Sequence, residues 1–85
     1  MKKGQYALSL AGRGKGRIYA VTEVIDGEYL LIADGGQRAQ SKPKRKKIRH
    51  LRFLDGCADL PCTDRELRAQ IAAFEARVKA GGDLS

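Results

Sequence analysis

The chain has no tryptophan, a single histidine, two cysteines and two prolines among 85 residues. Each scarcity removes a class of protein. Cys57 and Cys62 are too few for the disulfide framework of a small secreted domain. With only His50 to join them, they fall short of the four ligands of a closed zinc site and read as two small apolar side chains. One histidine also denies the chain the usual acid–base–nucleophile set, and Asp55, Asp59 and Asp64 lack the partner groups that acid–base work requires. The sequence therefore predicts no enzyme, no cofactor or metal, and no small-molecule substrate. Long apolar runs are missing as well, since none approaches the roughly 20 residues of a membrane span. The segment Tyr6–Ala11, behind Met1-Lys2-Lys3, is shorter than the ~7–15 residues of a signal-peptide core and runs into Arg13 and Lys15. The expected setting is the cytoplasm, without a membrane partner.

Acidic residues are also scarce, but only in part of the chain. Residues 1–54 carry thirteen Lys and Arg against four acids, whereas residues 55–85 carry four against six, and the whole has a formal net charge of +7. The excess in the first part predicts a polyanionic partner. Its densest stretch runs from Lys42 through Lys44, Arg45, Lys46, Lys47, Arg49 and His50 to Arg52. Seven cations in eleven positions, with no acid among them, repel one another unless phosphates neutralise them. Arg13, Lys15 and Arg17 form a second basic cluster in a glycine-rich turn, and Arg38 sits in another. A closed barrel would gather these on one rim as a patch for nucleic acid; the alternative reading of the basic run is a solvated charged loop or a localisation-type tag.

Gly12-Arg13-Gly14-Lys15-Gly16 is not a nucleotide loop. It has neither the P-loop nor the dinucleotide spacing, and a strand pattern follows it where either motif needs a helix. It reads as a basic hairpin loop whose backbone can approach a phosphate. Around it lie short β-type segments: Gln5–Leu10, Arg17–Ile25, Glu28–Asp34, a weaker Gln37–Gln40, and Lys47–Phe53. Asp26-Gly27 between two of them is a hairpin signal that predicts a type I′ turn. Pairing Ile25 with Glu28 puts Tyr19, Val21, Leu30 and Ile32 on one face and Ala20, Val24, Tyr29 and Leu31 on the other. A sheet apolar on both faces must curl into a barrel or be covered by a helix.

The helix is available at residues 63–80. Thr63 and Glu66 have capping-box spacing. Leu67, Ile71, Phe74 and Val78 form one stripe, Asp64–Arg68 and Glu75–Lys79 are favourable i,i+4 pairs, and Ala80-Gly81-Gly82 offers a stop. The expected organisation is mainly β and a single domain: a small β-barrel over residues 1–54, a linker over 55–62, and a C-terminal amphipathic helix packed on the barrel.

The Gly-Arg-x-Lys-Gly loop at Gly12–Gly16, with its apolar strand, Asp-Gly turn and second strand, resembles a KOW motif, in which Gly16 matches the characteristic glycine. Ala33-Asp34-Gly35…Arg38 and Lys42-Pro43-Lys44…Lys47…His50-Leu51 extend the likeness. They resemble small bacterial KOW-domain RNA-binding proteins similar to a group of archaeal and eukaryotic large-subunit ribosomal proteins. The resemblance covers about residues 4–54 and departs at Gly14, where those relatives usually carry an acid. It implies an SH3-like barrel that binds structured RNA, above all ribosomal RNA, in a ribonucleoprotein or translation context beside ribosomal proteins, without catalysis. The residues themselves add the mechanism: cations bind phosphates and release counterions, while Arg13 and Arg38 suit bidentate phosphate contacts or stacking on bases. Tyr19 and Tyr29 are further stacking candidates, at least one of which a barrel core would claim. Two rivals stand beside this reading. One is a protein-interaction module docking on a transcription or translation factor, which an exposed Leu67–Ile71–Phe74 face would favour; the other is nonspecific DNA binding.

Overall fold

Alternation of apolar side chains along short segments makes strands of the first part of the chain, and a 3.6-residue stripe makes a helix of the last. The computed structural model describes residues 2–81 and contains β1 (Gln5–Ser9), β2 (Ile18–Val24), β3 (Tyr29–Ala33), β4 (Lys44–Lys47), a 3-10 turn (Ile48–His50), β5 (Leu51–Cys57) and α1 (Asp64–Gly81). The five strands form one antiparallel sheet in the order β4-β3-β2-β1-β5. Among the described residues no helix is long and apolar enough to cross a membrane.

Three expectations need correction here. First, the sheet is not a closed barrel. Its edges are β4 and β5, and the 3-10 turn that joins them in sequence sends β5 to pair with β1 instead of with β4. Second, Gln37–Gln40 is loop, while the lysine-rich Lys44–Lys47 is the strand. Cross-strand pairing with β3 outweighs the weak strand propensity of lysine, a residue that suits an edge. Third, β5 continues to Cys57, into the stretch expected as linker, because Cys57 pairs with Gln5 and the Ala58 amide then donates to the Gly4 carbonyl at 2.7 Å.

The β2–β3 hairpin keeps the expected register at one end, where Ala20 faces Ala33 and Val21 faces Ile32. Beyond a bulge at Thr22 the register slips by one residue, so that Val24 faces Leu30. The turn is not type I′, since neither Asp26 nor Gly27 has positive φ. Instead the Asp26 carboxylate accepts hydrogen bonds from the Glu28 and Tyr29 amides, at 2.7 and 2.8 Å. Those two amides hold the Asp26 carboxyl below the usual carboxylate range,.

Two apolar layers result. Ala7, Tyr19, Val21, Leu30, Ile32 and Leu51 bury one face of the sheet. The helix lies on the other face, so the sheet must bend over this one to leave Val21 and Leu30 fully buried,. On the helix side, Tyr6, Ile18, Ala20 and Ala33 receive Leu67, Ile71 and Phe74, with Val78 packed alongside. The rings of Tyr6 and Phe74 lie 4.4 Å apart between centroids. The capping box forms as expected: the Thr63 amide donates to Glu66 Oε1 at 2.8 Å, and the Glu66 amide donates to Thr63 Oγ1 at 3.1 Å. Asp64 does not pair with Arg68, because its carboxylate accepts the Gln40 amide at 2.9 Å and so ties the helix start to the β3–β4 loop. Gly35 permits that approach, since a Cβ there would collide with the Asp64 carbonyl oxygen. The Gly82 part of the expected helix stop lies outside the described residues.

Candidate nucleic-acid interface

The loop between β1 and β2 is stapled to its own stem. The Ser9 amide donates to the Arg17 carbonyl at 3.0 Å, Gly16 donates to Ser9 at 2.8 Å, and Arg17 donates to Gly14 at 2.9 Å. These bonds consume the backbone groups and turn Arg13, Lys15 and Arg17 outward, where all three are exposed. Gly14 alone turns inward, and the Tyr19 ring lies against it, with the hydroxyl oxygen filling the place where a Cβ would stand.

The β3–β4 loop is organised by one carboxylate. Asp34 Oδ1 accepts the Gly36 and Arg38 amides, each at 2.9 Å, and the Arg38 carbonyl in turn accepts the Asp34 and Gly35 amides. The loop closes on itself and presents Arg38. Two ordered loops and the start of β4 thereby surround one hollow of about 220 Å³, lined by Arg13, Gly14, Tyr19, Gln37, Arg38 and Lys44. Three cations from three separate segments meet there beside the hydroxyl end of a buried tyrosine.

Other expected site residues take different positions. Lys46 is buried, and its Nζ donates to the Ala11 carbonyl at 2.7 Å. Burial, and then the neighbouring charge of Lys44, push its ammonium below the usual lysine range,. Lys46 is thus a strut between β4 and the glycine loop and does not sit out in solvent for a phosphate. Arg17 leans on the other loop, with Nη1 hydrogen-bonded to Gln37 Oε1 and 4.0 Å from Asp34 Oδ2. Arg45 and Lys47 point to the opposite face of β4 from Lys44 and Lys46, and both stand over the Tyr29 ring. Exposed Arg49 lines a second hollow of about 370 Å³ with Lys47, Ile48, Glu28 and Gly27. His50 is half-buried, and its carbonyl accepts the Leu10 amide at 2.9 Å; Lys42 is exposed in the β3–β4 loop.

The cations therefore do not share a single rim. They divide between a hollow at the loop end of β4 and the two faces of that strand, because side chains alternate along it. Sequence reasoning missed Gln37 and Asp34. The Asp34-Gly35-Gly36 run carried a usable signal for Asp34, since aspartate before glycines commonly closes a turn on its own carboxylate. Gln37 carried none. No protein-family model matches this chain.

Proposed function

We propose that this chain is a non-catalytic RNA-binding protein that grips the sugar-phosphate backbone of a structured RNA, above all ribosomal RNA, in the setting of the cytoplasmic translation machinery. The observation that carries the reading is the meeting of Arg13, Arg38 and Lys44 around one hollow. None of the three makes an ion pair among the described residues. Cations brought together in this way by two ordered loops repel one another, and the repulsion is relieved when an anion enters. Lys42 and Lys15 flank the same loops and add to the attraction. The strand order β4-β3-β2-β1-β5, with β5 returning to β1 after a 3-10 turn, supports reading the chain as an SH3-like, KOW-type fold whose sheet stays open between β4 and β5. The rival reading as a docking module is weaker because Leu67, Ile71 and Phe74 are consumed in packing against the sheet.

The test is a salt titration of binding to a folded ribosomal RNA fragment. The triple variant Arg13→Gln, Arg38→Gln, Lys44→Gln is expected to lose at least about tenfold in affinity. Its plot of log K against log salt should flatten by roughly 0.7 for each phosphate that is no longer neutralised. Unchanged affinity and slope would overturn the reading. Equal binding of duplex DNA at the same salt would replace RNA by nucleic acid in general, since a reader of A-form shape prefers RNA.

A further inference from the structure

We propose that the outer face of β3 and β4 holds one unpaired RNA base, stacked on the Arg45 guanidinium with Tyr29 beneath it. This deepens the RNA-binding reading and rests on it. In the sheet register Tyr29 stands opposite Lys47 and Leu31 opposite Arg45. Tyr29 and Leu31 are half-buried, belong to neither apolar layer, and do not pack into the helix-covered cluster. Arg45 Cζ lies 4.7 Å from the centroid of the Tyr29 ring, and Lys47 Nζ lies 5.9 Å from it.

Arg45 is exposed, and among the described residues it makes no ion pair and no side-chain hydrogen bond. A guanidinium is planar and weakly hydrated, and it stacks on flat π systems. Held over a ring, it has already given up rotamer freedom, so a second flat partner meets a prepared surface. The flat surface, and not the charge alone, favours a base over a further phosphate here, because the guanidinium lies over a ring,. Glu23 stands opposite Leu31 on this face and offsets part of the positive charge of Arg45 and Lys47,. Bases inside a duplex are not available for such stacking, so the site selects loops, bulges or ends. The hollow at Arg13, Arg38 and Lys44 opens on the other face of β4, so the stacking site is separate from it,.

The experiment compares the unmodified protein with Arg45→Lys and Tyr29→Leu. Each is titrated with an RNA stem-loop carrying 2-aminopurine in its loop, and with a blunt duplex of the same stem. The unmodified protein should favour the stem-loop by about fivefold or more and quench the loop fluorescence. Arg45→Lys keeps the charge, and with it the salt slope, but should lose most of both effects. Tyr29→Leu should lose them too, and its far-ultraviolet circular dichroism checks that the sheet survives. Full preference and quenching in Arg45→Lys, or equal binding of the two RNAs by the unmodified protein, would overturn the stacking site and leave RNA binding standing. Failure to bind either RNA would overturn both.

Discussion

A methyl group on residue 14 would press against the Tyr19 ring, overlapping the hydroxyl oxygen and lying 3.2 Å from Cζ. Tyr19 is 6% exposed and packed among Val21, Leu30 and Ile32, so the ring has little room to yield,. Gly14→Ala should therefore cost about 1–3 kcal/mol of stability, as overpacking does. Adding Tyr19→Phe removes the nearest atom and should recover part of the loss, so the two changes should not add in urea unfolding. Additive effects would mean that the loop and the ring are not in contact. The tyrosine occupies the space that a side chain at position 14 would need. Residue types at the site were legible in advance, since Arg13, Arg38 and Lys44 are cations in or beside turns. Which of them meet was not legible, because it depends on how far two loops fold back. Lys46 shows the limit most clearly: its three basic neighbours look equivalent in sequence, yet it alone is buried against the Ala11 carbonyl.

At the scale of the element, the helix was the most readable part of the chain and the hairpin only half so. Capping boxes and i,i+4 stripes are local, so Thr63, Glu66 and the Leu67–Ile71–Phe74 stripe declare themselves within a few residues. Thr63→Ala should lower stability by about 1 kcal/mol in urea unfolding while leaving RNA affinity unchanged. No shift in the urea midpoint would mean that the cap does not hold the helix end. The β2–β3 hairpin was legible in the faces of Tyr19, Val21, Leu30 and Ile32. It was not legible in its turn, nor in the face of Val24, which the bulge moves opposite Leu30 instead of leaving it with Tyr29 and Leu31. The bulge at Thr22 takes up one residue, and the Asp26 carboxylate supplies a local alternative to the expected turn,. Strand β4 was misread for the opposite reason. Four cations in a row look like solvated loop until a neighbouring strand offers them backbone partners.

For the molecule as a whole, a formal net charge of +7 on 85 residues acts on stability and on binding with opposite signs. Self-repulsion among the cations opposes compaction, so raising salt from low ionic strength to about 0.15 M should raise the thermal midpoint of the free protein. The same salt should weaken RNA binding, because fewer counterions are then released to advantage. A thermal midpoint that falls over this range would mean that attractive pairs outweigh the repulsion. By itself, the order of residues determined the excess of positive charge in the first part of the chain, the mainly β character, the capped helix and the two-sided apolar sheet, because each follows from composition or from periods of two and 3.6 residues. Only the tertiary structure decided which sheet edges stay open, which lysine is withdrawn, and that Arg13, Arg38 and Lys44 share a hollow while Arg45 lies over Tyr29. Those outcomes depend on contacts between segments tens of residues apart, whose geometry no local pattern encodes.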